Sequence, residues 1–135
     1  MNNSQLWIIG HVGRDAEMRY TPSGQAVTNF SVAESREYTQ GDEKRKYTVW
    51  YKVAVWGKMA EVCNQYVKKG MQVFVTGVIE PDKATGNPRL WSTADGKPAS
   101  SFEITASSVK FLSRVDSMTQ AAQELASGTD EEMPF

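Results

Sequence analysis

The chain has 135 residues, which suits one domain of ordinary size, and 40% hydrophobic with 23% charged residues places its bulk among globular rather than disordered chains. No apolar run approaches the ~20 residues that span a bilayer, and the start MNNSQLWIIGHVGRD has neither a basic region nor a long apolar segment, so export is not expected and a cytoplasmic location is. The net charge is only −1, and one cysteine (Cys63) with one histidine (His11) excludes an internal disulfide and the usual Cys/His zinc sites; no cofactor or metal is expected.

Residues 5–13 (QLWIIGHVG) read as a strand, with Gly10 and Gly13 marking a bulge or tight bend. A turn at Thr21–Gly24 leads into residues 25–36, where Thr28, Phe30 and Val32 alternate onto one side. The polar stretch 38–46, with Gly41, reads as a long hairpin loop, and residues 47–56 (YTVWYKVAVW) form the clearest strand. Residues 58–69 change period: Met59, Val62, Cys63, Tyr66 and Val67 make one apolar helical face. Lys68 and Lys69 fall in the last turn, and Gly70 is the stop. Residues 71–79 return to strand. Residues 80–99, with three prolines and two glycines, read as an extended excursion or protruding hairpin, and 101–112 as a final strand. The order β-β-β-α-β-β predicts an all-β fold: a five-stranded OB-fold Greek-key barrel with one short helix between strands 3 and 4. Residues 113–129 read as a short linker and 130–135 as an acidic tip.

Charge is divided along the chain. Residues 1–112 hold 14 Lys/Arg against 11 Asp/Glu, a net of +3, whereas residues 113–135 hold Arg114 against five acids, a net of −4. A mildly basic body with an acidic tail is a pattern often met with nucleic-acid partners.

Strand 47–56 carries the most chemistry. One face (Tyr47, Val49, Tyr51, Val53, Val55) suits a core or subunit interface. The other (Thr48, Trp50, Lys52, Ala54, Trp56) sets two tryptophans about a lysine where polar residues are expected. Aromatic rings stack on any base and a nearby cation pairs with phosphate, so this face suits single-stranded nucleic acid; the competing reading packs both indoles under a loop or a neighbouring subunit. Tyr38 and Trp91, the latter beside Arg89 and near Lys97, can extend the platform or anchor their loops. Trp7, in an apolar strand, reads as core or subunit interface. Arg36, Lys44, Arg45 and Lys46 are interleaved with acids and read as a solvated loop, and Lys58 and Lys69 bracket the helix, where Lys69 also complements the helix dipole. DEEMPF, Asp130–Phe135, sets three acids before Met133, Pro134 and a terminal aromatic carboxylate. Such an arm fits a basic-rimmed apolar pocket on a partner, or is simply a frayed soluble end.

With these motifs the sequence resembles the bacterial-type single-stranded DNA-binding protein (SSB) family, nearly continuously over residues 5–112 and again at the tip. IGHVGRDAEMRYTPSGQAVTNFSVA is similar to the family's first two strands, VWYKVAVWGKMAEVCNQYVKKGMQVFVTG to strand 3, helix and strand 4, RLWSTADGK to its Trp-bearing hairpin, and DEEMPF to its Asp-Asp-Asp-Ile-Pro-Phe end. The resemblance implies an OB-fold, usually homotetrameric, that binds and protects single-stranded DNA without sequence preference. It implies recruitment of replication, recombination and repair proteins through Asp130, Glu131, Glu132, Met133, Pro134 and Phe135. It places stacking aromatics at Tyr38, Trp50, Trp56 and Trp91 and phosphate contacts at Lys52, Lys58, Lys69 and Arg89. Departures are Tyr38 for the usual Trp, Trp56 for Phe, Tyr51 for a His on the association face, an inserted segment over Glu80–Pro88, and a linker much shorter than in many members.

Other readings compete with this one. They are an RNA-preferring OB-fold or replication adaptor, a scaffold acting through the tip alone, and a small nuclease with Asp15 and Glu17 as metal ligands. The last lacks any further carboxylate cluster, Gly-rich phosphate loop or nucleophile grouping, so no enzymatic activity is expected.

Overall fold

The computed structural model describes residues 4–112. The linker 113–129 and the tip 130–135 lie outside the described residues. Five long strands close a barrel: β1 (Leu6–Val12), β3 (Ala26–Gln40), β4 (Glu43–Trp56), β5 (Gln72–Ile79) and β8 (Phe102–Phe111). Their order is β1-β5-β8-β4-β3, and β3 pairs back to β1 through His11↔Ala33 and Val12↔Val32. All pairings are antiparallel except β4–β8, where Lys52 lies opposite Glu103. The helix α1 (Lys58–Tyr66) connects β4 to β5, as expected. A short strand that the sequence reading lacks, β2 (Glu17–Tyr20), continues along the β3 edge beyond β1, and β6 (Leu90–Ser92) with β7 (Pro98–Ser100) forms the hairpin of the Pro/Gly-rich excursion.

The period-2 patterns become the core. Ile8 and Val12, Phe30 and Val32, Tyr51, Val53 and Val55, Val73 and Val75, and Ile104 and Val109 bury from the five barrel strands. Each buried aliphatic side chain contributes about 1.5–3 kcal/mol relative to exposure. Cys63, Val67 and Met71 close one end of this cluster. The helix is seated on a polar contact as well: the Thr28 hydroxyl, fully buried, donates to the Ala60 carbonyl at 2.5 Å.

Two expectations need correction. Residues 38–46 are not a loop. β3 and β4 run on as a ribbon to the pair Gln40↔Glu43, leaving only Gly41 and Asp42 as the turn, with Gly41 at φ 63 supplying the positive φ that a two-residue hairpin requires. The ribbon projects past the barrel, so both of its faces meet water and no hydrophobic alternation marks it. The helix also ends earlier than its apolar spacing suggests. Val67 turns to extended geometry (φ −77, ψ 119) and buries, while Lys68 and Lys69 lie past the last turn. The chain is held there by contacts from far away in sequence: Lys69 N–H donates to Asp15 Oδ1 at 2.8 Å, and Gly70 N–H to the Val12 carbonyl at 2.7 Å. The buried side of α1 is Ala60 and Cys63, with Val62 and Tyr66 left exposed.

Candidate nucleic-acid interface

Alternation along β4 decides which side chains leave the barrel. Tyr51, Val53 and Val55 point in; Trp50, Lys52 and Trp56 point out, and the two indoles stay 51% and 40% exposed. Among the described residues neither is packed under a loop, which leaves the base-stacking and neighbouring-subunit readings. Six residues at strand rise separate them by about 20 Å, several nucleotides of extended single strand. Trp50 is held without being covered: a Cβ at Gly13 would run into the six-membered part of its ring, so the glycine supplies the clearance that lets the indole lie beside the β1 end.

A groove of about 730 Å³ crosses β3, β4 and β8. Trp56, Lys52 and Arg89 line it, as do Arg14, Arg19 and Lys83. The last three are functional candidates that sequence reasoning missed. Arg14 and Arg19 alternate with Asp15 and Glu17 along the chain and look neutralised there, and Lys83 sits in the inserted loop. Asp15, Glu17, Glu80 and Glu103 share the lining, so the groove is mixed in sign. Asp15 Oδ1 is taken up by the Lys69 amide, which makes Asp15 a latch for the segment after α1. Among the described residues no group of three or more His, Cys, Asp or Glu is placed to hold a metal ion.

The β6–β7 hairpin folds Trp91 back over this wall. The Lys52 ammonium lies 4.4 Å from the centroid of the Trp91 ring, and the Arg89 guanidinium carbon 6.0 Å from it. Arg89 also donates from Nε and Nη2 to the two Glu103 carboxylate oxygens at 2.9 and 3.0 Å. The hairpin tip is closed by Thr93, whose hydroxyl bonds Asp95 and whose carbonyl accepts Gly96 N–H at 2.9 Å. The Thr93 hydroxyl bond holds the Asp95 carboxyl below its usual range.

The structure thus sets Lys52, Trp56 and Arg89 along the groove, with Trp91 against Lys52 and Trp50 further along the same face of β4, but does not gather the other three candidates there. Lys58, at the start of α1, and Lys69, past its end, are exposed and stand outside the groove. Tyr38 pairs with Arg45, which puts it on the ribbon face of Arg36 and Tyr47, opposite that of Trp50. There it meets Tyr47 edge-on, with centroids 5.8 Å apart. Below them on the same face, Tyr51 OH donates to Glu34 Oε1 at 2.9 Å and accepts from Arg36 Nη2 at 3.2 Å. Burial, then the Glu34 hydrogen bond, raises the Tyr51 phenol. Trp7 is 74% exposed on the outer face of β1, which excludes the core and leaves the subunit-interface reading.

Comparison with known proteins bears on the family and the fold. Residues 2–112 match the profile of the Single-strand binding protein family. The chain is 36% identical over 115 residues to single-stranded DNA-binding protein 1 of Chlorobaculum tepidum, covering 84% of this chain and 67% of that one. It is also 36% identical over 113 residues to the single-stranded DNA-binding protein of Neisseria meningitidis, covering 83% of this chain and 61% of that one. It therefore spans about three fifths to two thirds of the length of these relatives. In fold it is similar to the Plasmodium falciparum SSB in complex with ssDNA (TM-score 0.65, 24% identity, covering 84% of this chain and 100% of that one). It is similar too to a deletion mutant of the Thermus aquaticus single-stranded DNA binding protein (TM-score 0.63, 26% identity, covering 81% of this chain and 50% of that one). A closed five-strand barrel with a helix after its third strand, an outward indole pair and a match over all the described residues lead to one conclusion: the chain belongs to the single-strand binding protein family.

Proposed function

We propose that this protein binds and protects single-stranded DNA without sequence preference. The observation that carries the reading is the outward face of β4, where Trp50 and Trp56 stay open to solvent on either side of Lys52. Bases stack on the indoles and on Trp91, and phosphates meet Lys52 and Arg89, with Lys58 and Lys69 taking the strand where it leaves the groove. To reach Tyr38 the strand has to cross the ribbon edge to its other face. The names of the relatives support the same ligand.

The wider role follows as part of the proposal: service in replication, recombination and repair in the cytoplasm, without catalysis, and recruitment of partner proteins through Asp130–Phe135. A homotetramer is supported by the outer face of β1, where Trp7 and Ile9 are exposed, and by its free edge before the His11↔Ala33 pair. Sedimentation tests this directly: a tetrameric mass is expected, and a monomer overturns the assembly. The binding claim is tested with Trp50→Ala and Trp56→Ala. Each is expected to weaken oligo-dT binding by about 1–3 kcal/mol with the melting temperature held. Unchanged affinity in both returns the indoles to a structural role.

A further inference from the structure

Arg89 and Glu103 meet as a fork, with both carboxylate oxygens engaged by two guanidinium N–H groups at 2.9 and 3.0 Å. Arg–carboxylate and Arg–phosphate pairs share this bidentate geometry, so one pair of N–H groups serves a carboxylate or a phosphate, not both at once. Glu103 is fixed by the barrel: it lies in β8 opposite Lys52, and its carbonyl accepts the Glu80 N–H at 2.8 Å. Arg89 belongs to the excursion, just before β6, so this pair ties the Trp91 hairpin to the barrel wall. Beside it the Lys52 ammonium lies over the Trp91 ring, on a π face that a base would need.

We propose that Glu103 is a built-in competitor for the DNA backbone, occupying the Arg89 fork that a phosphate takes in the complex, as Lys52 occupies the ring of Trp91 that a base takes. The proposal rests on the single-stranded DNA reading above. In the free protein the groove is charge-closed at this point: Arg89 paired with Glu103 presents no net charge to an approaching strand. Binding exchanges an internal pair for a phosphate contact, and Lys52, pushed off the ring by the incoming base, is released to the backbone. Glu103 keeps the hairpin ordered while lowering affinity and the salt dependence of binding. The pair is partly solvated, with side chains 57% and 24% exposed, so the exchange is cheap enough to be driven by DNA.

The experiment titrates a fluorescein-labelled oligo-dT with the full chain over a salt series, using wild type, Glu103→Gln, Arg89→Ala and the double variant. Glu103→Gln is expected to tighten binding about two- to fivefold, the effect of freeing one partly exposed pair. It should steepen the slope of log K against log salt by about 0.7, because the counterion that Arg89 releases from a single strand is no longer offset by a cation drawn to the freed Glu103 carboxylate. Both gains should vanish when Arg89 is already Ala, because the two residues then have nothing to exchange. An equal gain in the Arg89→Ala background means that removing a negative charge is the whole effect, and that overturns the proposal. So does a Glu103→Gln protein of unchanged melting temperature with no gain. Should Glu103→Gln not fold, Glu103→Asp keeps the charge but shortens the reach; a smaller gain of the same sign is expected, and no gain overturns the proposal. Failure of wild type itself to bind the strand instead overturns the DNA-binding reading on which this one stands.

Discussion

A single absent side chain sets the height of Trp50. Gly13 has ordinary backbone geometry, so alanine fits its φ and ψ; what it lacks is room, because the Cβ meets the indole. Gly13→Ala is therefore expected to shift the ring and weaken oligo-dT binding by up to ~1 kcal/mol, less than loss of the indole, with stability nearly unchanged. Quenching of tryptophan fluorescence in that variant checks it. Tyr51 offers a test on stability instead. Burial, then Glu34, raises its pKa above 10.0, against the opposing Arg36. A raised folded pKa means that the stability linked to this group is full below the unfolded value and is lost as pH climbs through the folded one. Melting temperature should fall on the alkaline side of pH 10, and Tyr51→Phe should flatten that fall. The outward pair Trp50 and Trp56 was legible in the sequence because strand alternation assigns faces without tertiary information. Glu103 was not, since its partner Arg89 is 14 residues away and its neighbour Lys52 arrives through a parallel pairing of distant strands.

At the scale of elements, the helix shows where sequence reasoning stops. Its existence was readable from the change of period after Trp56, and its placement between the third and fourth barrel strands is as expected. Its end was not readable, because Gly70 offers a plausible stop while the actual one is imposed by burial of Val67 and by Asp15 capturing the Lys69 amide. The ribbon of β3 and β4 was missed for the opposite reason: with water on both faces it has no alternation to read. The seating of α1 makes two predictions. Thr28→Val removes the hydroxyl that reaches the Ala60 carbonyl and is expected to cost about 1 kcal/mol, measured by denaturant unfolding. Cys63 is fully buried on the inner side of the same helix, and burial pushes its thiol up to about 11. It should resist a disulfide reagent in the native protein and react only on unfolding; fast labelling of folded protein would contradict the packing.

The described residues form a barrel whose inward side chains supply its stability and whose outward β4 wall carries the proposed interface. That wall couples rings to cations: Trp50 and Trp56 flank Lys52, and Trp91 swings in with Arg89. The net charge of −1 gives no hint of this, because the +3 of residues 1–112 is offset by the −4 of residues 113–135. Binding built on cations and stacking should weaken steeply with salt through counterion release, yet keep a stacking component that salt does not remove. It should also favour a flexible single strand over a duplex, whose bases already stack on one another. The most direct measurement is a tryptophan-fluorescence titration with a long oligo-dT, repeated with duplex DNA and at raised salt. Deep quenching by the single strand, little by the duplex, and weaker affinity as salt rises is the predicted result. Equal quenching by both, or none by either, would contradict an interface built on exposed indoles.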